Sequence, residues 1–243
     1  MELPGITICW PGAKWPILNV IGLSGPVTDQ ADLDAKVQQA VSYTQTKPVM
    51  GMVVTCTEWL PPDLEERNVA KFAEHGFALG LALRGMVADQ LLSPRRPLPD
   101  LEYRRVSSLE TSRACVDLNA ISYDAPLEFG REMSDITGFW DGVFAYVGYR
   151  NGKPVATAAT FLECGRLYVG FVATLPDARS NGYAEAVVRH SLEAAARSSG
   201  FSRTVLHATE LGYPVYRAMG YRTVASFRAF LPQSIVNGTS NPA

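Results

Sequence analysis

Val172-Ala-Thr-Leu-Pro-Asp-Ala-Arg-Ser-Asn-Gly-Tyr-Ala-Glu-Ala186 is the stretch whose reading decides the fold. The apolar run ahead of it reads as the end of a buried strand and Pro176 punctuates a turn. A helix then opens near Ser180 and runs to the stop signal Gly200. The first turn of such a helix leaves backbone N–H groups unpaired at the positive end of the macrodipole, so a pyrophosphate placed there gains hydrogen bonds and a favourable field. Gly182 lets phosphate oxygens approach the main chain, and Arg179 adds a charge. Ala184, Val188, Leu192 and Ala195 supply an apolar stripe at helical spacing, so the helix docks on a sheet. Taken alone, these residues also fit an ordinary strand-to-helix turn with a solvated arginine.

Arg179, Gly182 and Ala184 fill the fixed positions of the pattern Arg or Gln, two residues, Gly, one residue, Gly or Ala, and Pro176 stands three residues before the arginine. In this the stretch resembles motif A of the GNAT superfamily of acyl-CoA-dependent N-acetyltransferases. Tyr216-Arg-Ala-Met-Gly220-Tyr221 is similar to a second family mark, Tyr, three residues, Gly, aromatic. Two marks in the right order and at the right separation are far more specific than either. The resemblance implies acetyl-CoA (coenzyme A) as cosubstrate and no metal. It gives the pantetheine arm and the thioester carbonyl to the main chain around Val172, Ala173 and Thr174, and the pyrophosphate to Arg179, Ser180, Asn181, Gly182, Tyr183, Ala184 and Glu185.

The 243 residues carry 47% hydrophobic side chains, enough for a sizeable core in one large domain or two small ones. A formal net charge of -2 gives no electrostatic reason to expect nucleic acid, and a small or locally docked substrate is favoured. The N-terminus lacks the basic region of a signal peptide and no apolar run spans a bilayer, so a cytoplasmic protein without membrane contact is expected. Cys9, Cys56, Cys115 and Cys164 are widely scattered and read as reduced packing residues. Asn237-Gly-Thr239 matches a glycosylation sequon by chance. Oligomeric state is open, and a homodimer is compatible with these readings.

Residues 1–16 show no period and read as irregular. Strands are expected over 17–23 and 48–56, helices over 29–43 and 63–75, and extended segments over 77–92. Ser93-Pro-Arg-Arg-Pro-Leu-Pro-Asp100 carries three prolines in eight residues and reads as a linker at a domain boundary. From 101 the order is a strand, helices over 111–121 and 129–139, three antiparallel strands with a hairpin at Asn151-Gly152, the motif helix, a strand, a short helix and a last strand near 230. This is the order the family uses, so the resemblance covers 101–232, followed by a flexible tail over 233–243. The implied fold class is α/β (α+β), the GNAT acyl-CoA N-acyltransferase fold, with a mixed, mostly antiparallel sheet flanked by helices. Residues 17–92 resemble a degenerate GNAT half-domain: Ile21-Gly22-Leu23 and His75-Gly76-Phe77 track Val169-Gly170-Phe171 and Met219-Gly220-Tyr221. Where the second half has its glycine, the first has Asp29 and Asp32, whose charges repel a pyrophosphate. An unrelated α/β segment is the alternative.

Acyl transfer to an amine needs a base, or solvent, because an amine with a pKa of about 10.4 is protonated at neutral pH, and an acid for the departing thiolate. The resemblance gives the acid to Tyr216. For the base, Glu163 at a strand end, His207 within a strand and Glu210 at that strand's end all qualify, directly or through a water. Two departures weaken the cofactor contacts expected in this segment. Thr209 stands where the family often has asparagine, and Gly212-Tyr213-Pro214 replaces a smoother helix start. The resemblance places the acceptor pocket around 111–140, where Tyr123, Phe129, Phe139 and Trp140 with Glu128, Asp135 and Asp141 suit a cationic amine, either a small molecule or an exposed amino group. A non-catalytic acyl-CoA-binding or regulatory protein of the same fold is the other reading.

Overall fold

The computed structural model describes residues 1–136 and 138–238. In chain order its elements are β1 (Glu2–Leu3), β2 (Ile6–Cys9), β3 (Val20–Leu23), α1 (Gln30–Gln45), β4 (Met52–Cys56), α2 (Glu65–Glu74), β5 (Phe77–Ala88), β6 (Glu102–Arg105), α3 (Leu109–Ser122), α4 (Leu127–Ser134), β7 (Phe144–Arg150), β8 (Lys153–Glu163), β9 (Arg166–Thr174), α5 (Tyr183–Ser199), β10 (Thr204–Ala208), α6 (Tyr213–Ala218), β11 (Arg222–Pro232) and α7 (Gln233–Gly238). They form a mixed α/β structure of two compact units, Met1–Arg84 with the chain from Ala225 onward, and Gly85–Val224.

In the first unit the strands lie in the order β1-β2-β3-β4-β11. β3 and β4 are parallel, joined by the α1 crossover, and Phe227–Phe230 of β11 pair antiparallel with Val53–Cys56 of β4. Residues 1–16, expected to be irregular, hold two strands. Ile6 and Ile8 alternate inward from β2, which pairs with β3, but four residues are too few to show a period in sequence. The core closes on Phe72, whose ring stacks on Phe230 at 4.1 Å between centroids.

The second unit has the order β6-β7-β8-β9-β10, antiparallel except for the parallel pair β9 and β10. Val187, Val188, Leu192 and Ala195 of α5 bury against Leu167, Val169 and Leu206 on one face. Cys115 and Leu118 of α3 bury against Val147 and Ala159 on the other. Asn151 (φ 51°) and Gly152 (φ 74°) take the left-handed conformations of the expected two-residue hairpin. The second helix expected over 129–139 runs instead from Leu127 to Ser134, capped by Asp135, with Gly138 left-handed (φ 78°) just beyond.

The division between units falls inside β5 and β11, not in the proline-rich stretch. Residues 93–100 belong to the second unit and are pinned at both ends. Leu92 N–H donates to the Met219 carbonyl at 2.9 Å, Arg189 donates to the Leu92 carbonyl at 2.7 Å, and Arg150 donates to the Asp100 carbonyl at 2.7 Å. Proline fixes φ, so three in eight residues make a stiff strap as readily as a linker. Of the expected tail, 233–238 form α7, and 239–243, with Thr239 of the sequon, lie outside the described residues. All four cysteines are unpaired. Cys56 and Cys115 are buried as expected, but Cys9 and Cys164 are exposed, at a strand end and in a hairpin turn. Among the described residues no helix is long and apolar enough to cross a membrane.

Gly220 shows why the second motif carries a glycine. Its φ is +101°, and a Cβ there would sit 2.8 Å from Leu92 Cγ and 3.2 Å from Leu92 N, where the strap is pinned. Gly220→Ala should cost about 1–3 kcal/mol, read as a lower urea midpoint. An unchanged midpoint would contradict this packing.

Candidate active site

The site begins with a fault in β9. Thr157 of β8 faces Ala173, but Ala159 faces Gly170, so two steps along β8 match three along β9 and the extra residue bulges at 171–172. Phe171 sits at φ 49°, a left-handed conformation that costs a non-glycine residue about 1–2 kcal/mol. Its ring is held by Trp140, Phe139 and Phe161, at centroid distances of 5.4, 6.3 and 6.2 Å. The bulge changes the phase of the strand. Phe171 and Ala173 pack on the α3 side, whereas Val172 joins Val169 on the α5 side. The β9–β10 register ends at Val169↔Leu206, and beyond it the two strands flank a cavity of about 660 Å³.

One end of this cavity meets the N-terminus of α5. Ser180 (φ 66°) and Gly182 (φ 76°) are left-handed, and the Gly182 N-cap offers no side chain to the first-turn N–H groups. Glu185, the acid of that turn, is tied to Arg189 at 2.8 Å. Asn181 donates to the Ala178 and Arg179 carbonyls and holds the loop. Arg179 and Arg96 line the cavity, and neither makes an ion pair among the described residues. The contrast with α1 is direct. Asp29 there caps the Asp32 N–H at 2.9 Å, and Asp32 accepts from Lys36 and from the Thr28 N–H, which hold its carboxyl below the ordinary range.

The other end carries phenols and an imidazole. Tyr216, 7% exposed, lines the cavity, and burial, reinforced by the neighbouring phenols of Tyr123, Tyr221 and Tyr168, pushes its pKa up, so it stays protonated at any working pH. His207 is solvent-exposed where it lines the cavity, and partial desolvation by the protein around it pushes its pKa below the ordinary histidine value. Its Nδ1 lies 3.3 Å from the Tyr168 hydroxyl, whose own pKa burial raises. The tautomer with hydrogen on Nδ1 donates to Tyr168 and puts the lone pair on Nε2.

All the residues expected at the cofactor, 172–174 and 179–185, line this one cavity together with Tyr216 and His207. Glu163 does not. β8 and β9 are antiparallel, so Glu163 faces Arg166, six residues before Val172 and roughly 20 Å away at 3.3 Å per residue. Glu210 is also absent from the lining, although Thr209 and Leu211 on either side of it are there. Asp135 pairs with Arg113 at 3.7 Å, and neither it, Asp141 nor Glu128 lines the cavity. Residues 96–99, whose prolines read as linker in sequence, and Ser122 at the end of α3 also line the cavity. Tyr168, outside the cavity lining, bears on the site through its hydroxyl beside His207 Nδ1, and no sequence signal points to it.

Residues 115–221 match the model of the Acetyltransferase (GNAT) family. That stretch, under half of the chain, is matched as a GNAT acetyltransferase domain. The GNAT fold also appears in a GCN5-related N-acetyltransferase from Kribbella flavida, 20% identical, with 94% of this chain and 86% of that one covered at a TM-score of 0.67. A GCN5-related N-acetyltransferase from Sphaerobacter thermophilus is 15% identical over 93% of this chain and 75% of that one, at 0.59. A functionally unknown conserved protein from Staphylococcus epidermidis is 16% identical over 89% and 85%, at 0.59. At these identities the likeness establishes the fold, and no curated protein matches the chain. The GNAT domain supports acyl transfer as the general activity.

Because desolvation dominates at His207, its ring should titrate with a midpoint below about 6.5 by NMR. A midpoint at or above that value would contradict the desolvation.

Proposed function

We propose that this protein transfers an acetyl group from acetyl-CoA to an amine by direct attack within a ternary complex. The observation that carries the reading is the open N-terminus of α5, with uncapped first-turn donors over a left-handed Gly182 and, in the same cavity, two guanidiniums that make no ion pair among the described residues, Arg179 being held only by its bond to the Ser122 carbonyl at 3.4 Å. A pyrophosphate supplies the acceptors these groups lack. The Thr174 hydroxyl, buried without a partner in the cavity wall, adds a polar group toward the pantetheine end.

Bound acetyl-CoA supplies an activated carbonyl and a thiolate leaving group. His207, neutral at pH 7, takes the proton from the attacking amine, directly or through a water. Tyr216 donates a hydrogen bond to the departing sulfur. Its raised pKa makes full proton transfer uphill toward a thiolate of pKa roughly 8.5, so the stabilisation is that of a donor held in place. The main chain around Val172 meets the carbonyl oxygen. With Asp135, Asp141 and Glu128 outside the cavity, phenols and the imidazole face the acceptor instead, which suits an amine that arrives uncharged or carries its own apolar group. The loss of Glu163 leaves His207 as the surviving candidate base, which is the one argument for the alternative of binding without turnover.

Residues 17–92 we read as a degenerate copy of the motif half. β3–α1–β4 repeats the parallel crossover of β9–α5–β10, and left-handed glycines follow α2 and α6 at Gly76 and Gly220. A cytoplasmic location accords with cysteines that stay reduced.

Calorimetry should show micromolar binding of acetyl-CoA to the parent and loss of it in the Arg179→Ala, Gly182→Asp double variant. Absence of binding by folded parent would overturn both the enzyme and the binding-only readings. In an amine screen Tyr216→Phe should lower turnover by about 10²-fold with little change in acetyl-CoA affinity, and unchanged turnover would remove Tyr216 from the chemistry. The parent's activity should fall only below the lowered pKa of His207, and His207→Ala should lose that acid limb along with most of the rate. A limb that survives in the variant would assign it to another group.

A further inference from the structure

We infer that Asn119 is a positioning residue for the thioester carbonyl, acting by aiming the Val172 backbone N–H. The inference rests on the acyl-CoA reading above and deepens it.

Three side chains from the last two turns of α3 and its cap reach across to three carbonyls of β9 at and just past the bulge. Asn119 Nδ2 donates to the Phe171 carbonyl at 3.3 Å, the Tyr123 hydroxyl donates to the Val172 carbonyl at 3.4 Å, and the Ser122 hydroxyl donates to the Thr174 carbonyl at 3.0 Å. The ladder is tied back once, by Arg179 donating to the Ser122 carbonyl at 3.4 Å. Asn119 is 2% exposed, and a second bond, to the Cys115 carbonyl at 3.0 Å, fixes its amide on the helix. The helix is itself immobilised on the sheet and on its neighbours by Cys115 Sγ to the Thr157 hydroxyl (3.0 Å), Trp140 Nε1 to the Ser112 hydroxyl (2.8 Å) and the paired bonds from Arg131 to Asp117 (2.8 and 2.9 Å).

Peptide planarity turns this clamp into a pointing device. The C=O of residue 171 and the N–H of residue 172 share one trans peptide plane and point in opposite directions. Holding the Phe171 oxygen toward α3 therefore directs the Val172 N–H away from α3. Val172 has no Cα partner in the β8 register, which shifts there, so the regular alternation of the ladder does not fix that direction. The left-handed Phe171 makes the plane strained as well as unladdered, and without Asn119 the peptide has a route to relax by rotating. A donor that must meet a developing oxyanion works only if it is held in place beforehand. Tyr123 does the same for the next plane, fixing the Val172 oxygen and with it the Ala173 N–H.

The test compares two ligands that differ at one group: acetyl-CoA and S-ethyl-CoA, which has a methylene in place of the carbonyl. Both are titrated calorimetrically into the full-length parent, Asn119→Ser and Tyr123→Phe. Asn119→Ser keeps a hydroxyl for the Cys115 carbonyl but is too short to bridge to Phe171. The parent should prefer acetyl-CoA, and Asn119→Ser should lose about threefold to tenfold of that preference while its affinity for S-ethyl-CoA stays put. Tyr123→Phe should move the ratio the same way by less, and it carries the test if the asparagine variant does not fold. Equal losses for both ligands would reduce Asn119 to packing and overturn the proposal, as would a parent that binds the two equally or a preference that survives in both variants. A parent that binds neither ligand would instead sink the acyl-CoA reading itself.

Discussion

The second unit depends on one strained residue. With Phe171 left-handed, β9 gains a residue over β8, its side chains change faces, and its pairing with β10 ends at Val169. The same bulge gives the cavity its wall, because Val172 turns to the α5 side while Phe171 turns into the aromatic cluster with Trp140, Phe139 and Phe161. Backbone strain of this kind persists only where surrounding contacts over-determine it. Here the contacts are the aromatic cluster and the donors from α3.

The two crossovers, β3–α1–β4 and β9–α5–β10, show how little separates a closed helix end from an open one. Both present the first turn of a helix after a strand. In α1 the donors are met by the chain's own carboxylates, and the end is a stable, satisfied cap worth about 1 kcal/mol. In α5 a glycine stands at the cap and the one acid of the turn is neutralised by Arg189, so the donors remain for a ligand. A side-chain cap and a bound anion would draw on the same N–H groups, and one helix end cannot supply both.

Much of the site was legible because its chemistry is written in residue types that have few other uses. A glycine at the cap, an arginine three residues before it and a tyrosine four residues before Gly220 announce themselves in sequence, and all of them reach the cavity or its strap. What sequence hid was direction and conformation. Glu163 looked close to the motif along the chain, but antiparallel pairing carries it to the far end of β9. Nothing about Phe171 advertises a positive φ, so the bulge and the donors that answer it, Asn119, Ser122 and Tyr123, stayed invisible. The prolines of 93–100 read as a break in the chain because stiffness alone does not say whether a segment is anchored, and the hydrogen bonds at Leu92 and Asp100 decide that it is. The short strands of the first sixteen residues were lost for want of length.

Amide hydrogen exchange across 180–186 with two ligands distinguishes whether the uncapped N-terminus of α5 receives the pyrophosphate of an acyl-CoA, as proposed. Acetyl-CoA should slow exchange at the first-turn amides of α5, and acetyl-pantetheine, which keeps the thioester arm but lacks the pyrophosphate, should leave them unchanged. Equal protection by both ligands, or none by acetyl-CoA at saturating concentration, would rule out a pyrophosphate at this helix end.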